Sequence, residues 1–241
     1  MPIDPLLSEV RARWTSWARV PVSFPPAGPP SVAVSPESGL CPPGWVGVVA
    51  LGGSAIATAP DERAAALVRD ALARLPPAAV TDPAAVRRAL PVAELLGPAA
   101  LAYLAAARFR PVGAGAPAVE RLPARHDALR ELAESAGPQE AGEADVGGVT
   151  SPAFVVSEAG RVVAAAGYQL WPGRVAHVSV LTDPGWRGRG LARATGAAAV
   201  AHALAAGLLP QWRARPPASR RVAAALGFEE LGAQLSVRLA E

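Results

Sequence analysis

Residues 175–206 read VAHVSVLTDPGWRGRGLARATGAAAVAHALAA, and the reading of this stretch decides the rest. An apolar, valine-rich run over 175–181 has the character of a strand. It is broken at Asp183-Pro184-Gly185, a turn signal. A short loop follows, Trp186-Arg187-Gly188-Arg189-Gly190, and then a long alanine-rich segment without proline, which predicts a helix. Strand, glycine-rich arginine loop and helix make a layout suited to phosphate. The first turn of a helix has amide N–H groups without intrahelical partners and carries the positive end of the peptide dipole. Glycines at 188 and 190 let the backbone approach an anion closely, and Arg187 and Arg189 add full positive charge.

Two nucleotide motifs fail at named positions. A P-loop requires G-x-x-x-x-G-K-[ST], and the chain has no lysine. A dinucleotide fingerprint starting at Gly188 requires glycine at 193, where Arg193 stands. The pattern that fits is R-x-x-G-x-A: Arg187, Gly188, Arg189, Gly190, Leu191, Ala192, preceded by V-x-T-x-P at 180–184. Loop and helix resemble the acetyl-CoA loop of the GNAT acyltransferase superfamily. The later segment SRRVAAALGFEELG, residues 219–232, is similar to that superfamily's last helix and closing L-G-F turn. The resemblance covers the C-terminal half of the chain.

Composition sets the outer bounds. The 241 residues suffice for one large or two small domains. With 51% hydrophobic and 18% charged residues the chain reads as globular rather than disordered. All basic residues besides histidine are arginine, so the high isoelectric point accompanies a net charge of only +3. No dense basic run with interleaved aromatics supports a nucleic-acid partner. The single cysteine, Cys41, excludes an intramolecular disulfide and a cysteine-built metal site; no metal is expected. The N-terminal residues lack the basic and apolar regions of a secretory signal. The apolar run over 45–59 is interrupted by Gly52-Gly53 and falls short of the ~20 residues a membrane span takes. A soluble, cytoplasmic protein with no membrane partner is expected, with a homodimer left open.

The sequence divides into an N-terminal α/β domain, 1–118, and a GNAT-like domain, 119–241. In the first, Leu7, Val10, Trp14 and Trp17 recur at helical spacing over 5–19. Strands are predicted at 31–34, 45–51 and 54–58, and helices at 61–75, from Asp82-Pro83, and more weakly after Gly97-Pro98 to Leu104. This half shows no chemical constellation, and its acids suit helix starts and solvated faces. The sequence leaves open whether it is a degenerate copy of the downstream fold; its expected role is to pack on the second half and wall the substrate cleft. In the second half a strand is predicted at 119–122, a helix at 125–135, and a flexible acidic, glycine-rich loop at 137–150. A meander of strands at 153–156, 162–170 and 175–181 leads into the loop and long helix. A strand at 211–215, a helix at 218–226 and a strand at 235–239 close the chain. The fold class is thus α/β: a GNAT-like mixed, mostly antiparallel sheet flanked by helices, with a fused smaller N-terminal α/β domain.

The resemblance implies the chemistry. The strands at 175–181 and 211–215 splay apart, and acyl-CoA lies in the V. Arg187 to Ala192 cradle the pyrophosphate, and Val180, Leu181 and Thr182 offer backbone groups to the pantetheine arm. Ser219 stands where relatives carry a polar residue near the cofactor; an N-cap of the last helix explains it equally well. Pro216-Pro217 replaces an asparagine frequent in the family. The family's tyrosine acid, four residues before the glycine of L-G-F, is Ala223 here. Tyr168 is a substitute candidate, although a core tyrosine fits it too. His177 is a candidate base through its intrinsic pKa, with a satisfied structural histidine as the plainer reading. Glu140, Glu143 and Asp145 are weaker candidates for attracting a cationic amine. The implied function is transfer of an acetyl group from acetyl-CoA, as cosubstrate, to a primary amine of a small molecule by direct attack in a ternary complex. The alternative is a catalytically silent acyl-CoA-binding regulatory or interaction protein.

Overall fold

The computed structural model describes residues 4–113 and 115–240. By contacts the chain divides into two compact units, Met1–Leu101 with Glu230–Glu241, and Ala102–Glu229. The sequence division at 118/119 marks where the motif-bearing half begins; the contacts part instead at Leu101/Ala102 and assign the last strand to the first unit.

The first unit opens with α1 (Pro5–Trp17), whose start is capped by the Asp4 carboxylate accepting from Leu6 N–H at 2.8 Å. The buried stripe is Leu6, Val10, Trp14 and Trp17, so Leu6 rather than Leu7 faces inward. The two indoles meet edge to face at 4.9 Å. Then come β1 (Ser31–Val34), β2 (Val46–Leu51), β3 (Ser54–Ala59), α2 (Glu62–Ala73) and α3 (Pro83–Ala89). Asp61 and Asp82 cap these two helices through Ala64 and Ala85 N–H. The next segment, β4 (Val92–Tyr103), corrects the sequence reading, which predicted helix after Gly97-Pro98. Leu101, Ala102, Tyr103 and Leu104 are all buried. Burial of consecutive residues is the mark of backbone covered on both faces, and this tertiary demand overrides the helical preference of alanine.

The second unit runs β5 (Glu120–Leu122), α4 (Asp127–Ala136), α5 (Pro138–Ala144), β6 (Ala153–Glu158), β7 (Arg161–Trp171), β8 (Val175–Thr182), α6 (Leu191–Ala205), β9 (Leu209–Ala214) and α7 (Pro217–Leu226). The element α5 replaces part of the flexible loop expected at 137–150. Pro138 at its first position was the start signal, obscured by the surrounding glycines. The last strand, β10 (Glu229–Leu239), pairs antiparallel with β2 and puts Leu235 and Val237 into the first unit's core.

Strand order is β1-β3-β2-β10-β4 in the first unit and β9-β8-β7-β6-β5 in the second. The registers of β2 with β3, β10 with β2, and β5 through β8 are antiparallel; β1–β3 and β8–β9 are parallel. The architecture is a mixed, mostly antiparallel α/β fold flanked by helices.

In the second unit the period of two along each strand sorts the side chains. Ala165 and Leu181 pack with Leu129 and Leu132 of α4. Tyr168, Ala176, Val178 and Trp212 pack with Ala197, Val200 and Ala203 of α6. The alanines let α6 lie close on the sheet, where each fully buried valine or leucine contributes about 1.5–3 kcal/mol. Leu226 and Phe228 close the same core, and between them Gly227 ends α7 at φ +97°. A Cβ there would overlap the Arg108 carbonyl oxygen.

Gly227→Ala is therefore expected to destabilise the protein by about 2–3 kcal/mol. Equilibrium urea unfolding checks it; an unchanged midpoint would mean that the Arg108 carbonyl moves aside at little cost.

Candidate active site

The site is built where β8 and β9 stop pairing. Their register runs Val175–Leu209, Ala176–Pro210, His177–Gln211, and ends there. Beyond it β8 continues to Thr182 and β9 to Ala214 as separate edges. Between them lies a cavity of about 460 Å³. Residues 177–182 of β8, 212–214 of β9, the loop and first turn of α6, Ser219 and Val222 of α7, and Glu140, Glu143 and Ala144 of α5 line it.

The loop forms because two glycines adopt backbone conformations that L side chains rarely take. Gly188 has φ +78° and Gly190 φ +75°, and a Cβ on either would meet only open space. Gly190 is the N-cap of α6 and supplies no side-chain oxygen, so no side chain caps the first-turn amides. These amides and the 15-residue helix dipole present positive potential to the cavity. Asp183 anchors the turn before the loop. Its carboxylate accepts from Gly185 N–H at 2.9 Å, from the Ser135 hydroxyl of α4, and from Arg161 of β7. The Ser135 bond chiefly, with Gly185 and Arg161 beside it, outweighs burial and holds the Asp183 carboxyl below the usual carboxylate range.

The structure brings nearly all the sequence-derived binding residues together. Val180, Leu181, Thr182, Arg187, Gly188, Gly190, Leu191, Ala192 and Ser219 all line the cavity. Arg189 does not; its guanidinium lies over the Trp186 ring at 4.4 Å. Arg187 is paired with Glu140, and Arg215 with Glu143 at 3.2 Å. Ser219 is not the helix cap, which falls at Pro216; its hydroxyl accepts from Trp212 Nε1 at 2.9 Å. The Thr182 hydroxyl is buried and has no protein partner. Arg193, Trp186, Trp212 and Arg213 also line the cavity. The sequence reading noted Arg193 only as a motif mismatch, although it lies in the first turn of α6.

His177 and Tyr168 fall on opposite faces of the sheet. The β7–β8 register is unbroken and places Gln169 beside His177 and Tyr168 beside Val178. Tyr168 packs among the α6 residues, its hydroxyl 2.9 Å from His202 Nδ1, and it is not a cavity-lining residue. His177 does line the cavity. Its Nδ1 lies 2.9 Å from Gln211 Oε1, and its ring stacks on Trp171 at 4.4 Å. The sequence reading took an intrinsic pKa near neutrality for this histidine. Burial, joined by the Arg213 charge and opposed by the Gln211 bond, pushes it down to about 4. The imidazole is thus neutral at pH 7.

Residues 151–233 match a family model described as GNAT acetyltransferase. The loop at 187–192 and the turn at 226–228 both fall inside that segment. Among solved structures, the chain is similar to a GNAT-family protein from Novosphingobium aromaticivorans, with 22% identity, 61% of this chain and 65% of that one covered, and a TM-score of 0.48. A GCN5-related N-acetyltransferase from Kribbella flavida is similar at 19% identity, covering 60% and 58%, with a TM-score of 0.46. A tandem GNAT protein from the clavulanic acid biosynthesis pathway is similar at 15%, covering 66% and 58%, with a TM-score of 0.42. The chain thus spans about three fifths of the length of each of these structures. At this identity and overlap they assign no activity to it. No curated protein is significantly similar. Among the described residues, no helix is long and apolar enough to cross a membrane, and no group of three or more His, Cys, Asp or Glu could hold a metal ion.

The depressed pKa of His177 has a signed consequence. As pH falls below about 6.5 the unfolded chain takes up this proton first. The contribution of His177 to stability is therefore complete above that pH and drains as pH falls toward about 4. Imidazole titration followed by NMR is expected to give a midpoint near 4; a midpoint near 6.5 would show the ring to be solvated.

Proposed function

We propose that the second unit is a GNAT-type N-acyltransferase that passes an acetyl group from acetyl-CoA to a primary amine, probed best among small molecules. The observation that supports it is the uncapped start of α6, behind Gly188 and Gly190, opening into the wedge between β8 and β9. The wall chemistry fits the cosubstrate. Amides of the first turn, with Arg187 and Arg193, suit a diphosphate. The unpaired edge of β8 over 178–182 suits the amides of a pantetheine arm in the manner of an added strand, and the orphaned Thr182 hydroxyl lies on this edge.

In this reading the amine nitrogen attacks the thioester carbonyl, the C–S bond breaks, and the thiolate leaves. Backbone N–H groups of the β8 edge stabilise the developing oxyanion. Neutral His177, at the apex where the strands part, takes the proton that the amine loses on forming the amide. Its low pKa makes it an acceptor for an amine that arrives already deprotonated, not a base strong enough to deprotonate an ammonium ion. Tyr168 has no part in this scheme, being on the other sheet face. The carboxylates of Glu140 and Glu143 line the same cavity, each paired with an arginine, Arg187 and Arg215.

Two observations favour the second reading, a silent acyl-CoA binder. Ala223 stands buried where the family's acid would be, and the pKa of His177 lies far from neutrality. A thiol-release assay with acetyl-CoA over a broad amine panel separates the two; cofactor binding without turnover on any amine supports the silent protein.

Gly190→Glu places a carboxylate at the start of α6 and is expected to weaken acetyl-CoA binding at least about 100-fold, by repulsion where the anion sits. Arg187→Ala is expected to weaken it about tenfold. Calorimetry with the full chain checks both, and wild-type affinity in Gly190→Glu would falsify the diphosphate cradle.

A further inference from the structure

The apex of the wedge holds a side-chain chain that phosphate binding does not require. His177 and Gln211 are the last register pair before the strands separate. Gln211 is fully buried; its Oε1 faces His177 Nδ1 and its Nε2 donates to the Tyr103 hydroxyl. Tyr103 is itself fully buried. On the other side Trp171 stacks against the imidazole at an interplanar angle of 23°, and its Nε1 donates to Gln169 Oε1 at 2.9 Å. The ring is thus held in plane by Trp171 and about its axis by Gln211.

A buried amide is costly unless both its ends are engaged, about 1–3 kcal/mol per unsatisfied group. The Tyr103 hydroxyl can accept as well as donate; in the structure the amide nitrogen is turned toward it, and the amide oxygen, which only accepts, meets the imidazole. Nδ1 then carries the proton, and Nε2 keeps its lone pair. We propose that Gln211 is a positioning residue, tied down by Tyr103, that fixes His177 as the Nδ1–H tautomer and so leaves Nε2 as the proton acceptor of the cavity wall. The proposal rests on the reading of His177 as the group that receives the amine proton. The charged or titratable groups around the ring are Arg213 on β9, Tyr103, and Glu140 and Glu143 of α5 on the same cavity; β7 contributes Gln169 and Trp171, which do not titrate.

The test uses the full chain labelled with 15N-histidine. It has three histidines, so the His177 signals are assigned by their loss in His177→Ala. Two-bond nitrogen–proton correlations are expected to show a proton on Nδ1 in the wild type. Gln211→Glu keeps an oxygen toward Nδ1 and accepts from the Tyr103 hydroxyl, while placing a carboxylate beside the ring. It is expected to raise the imidazole midpoint from about 4 to above about 6. With it an inflection should appear in the pH profile of kcat/KM between about pH 5.5 and 7.5, where the wild type has none. Tyr103→Phe, which leaves Gln211 in place, is expected to admit the Nε2–H tautomer as a second population. A wild-type ring protonated on Nε2, or a Gln211→Glu midpoint that stays near 4, overturns the proposal. The NMR readouts need no turnover, so they stand apart from the reaction: an Nδ1–H ring together with unimpaired turnover in His177→Ala overturns the catalytic part and supports the tautomer assignment.

Discussion

The structure of the second unit depends on the loss of backbone pairing after His177 and Gln211. Two parallel strands that begin in register cease to bond while both continue for several residues. Main-chain N–H and C=O groups along both edges then need other partners, and an unmet buried group costs as much as a lost hydrogen bond. Such an opening persists only if the ends are held elsewhere. One end is held by Asp183, which ties the turn after β8 to α4 and β7. The other is held by Trp212, whose indole donates to Ser219 on α7 while its ring packs edge to face on Phe228. The gap is thus enforced from its two ends, by Asp183 outside it and by Trp212 and Ser219 on its wall.

The same parting of strands explains why the polar residues gather on one sheet face. The face toward α6 is filled by alanine, valine and aromatic rings, and the Tyr168 hydroxyl on it is met by His202 Nδ1 of α6. The opposite face carries Gln169, Trp171, His177, Gln211 and Arg213; Trp171 bonds Gln169 and meets His177 and Arg213 with its ring, and His177 meets Gln211. A buried glutamine and a neutral histidine satisfy each other there without charge, which suits an enclosed wall better than an ion pair whose desolvation would have to be offset. The price is an imidazole whose proton affinity is set by burial, well below its value in water.

Much of this was legible in the sequence, for reasons that also explain the failures. The loop at 187–192 was readable because its chemistry is local: glycines at positive φ, arginines, and a helix start lie within six residues. The caps at Asp61 and Asp82 were readable for the same reason. The strand at 92–103 was not, since alanine-rich segments carry little periodic signal and what makes it a strand is pairing with residues far along the chain. The home of β10 was likewise invisible, because nothing in a strand's own sequence names its partner. Local pattern also could not join Tyr103 to Gln211 across 108 positions. Alternation along β8 and β9 would have put His177 and Arg213 on one face had the register been known; the structure supplies that register.

The arginines at the cavity mouth add a last step. Arg187 and Arg215 do not stand bare but meet Glu140 and Glu143, both projected from the seven-residue α5. Both guanidinium groups are about half exposed, and ion pairs of that kind contribute about 0–1 kcal/mol. A diphosphate offers more charge and several acceptor oxygens, so on the proposed function it displaces the Glu140 carboxylate from Arg187 at little cost.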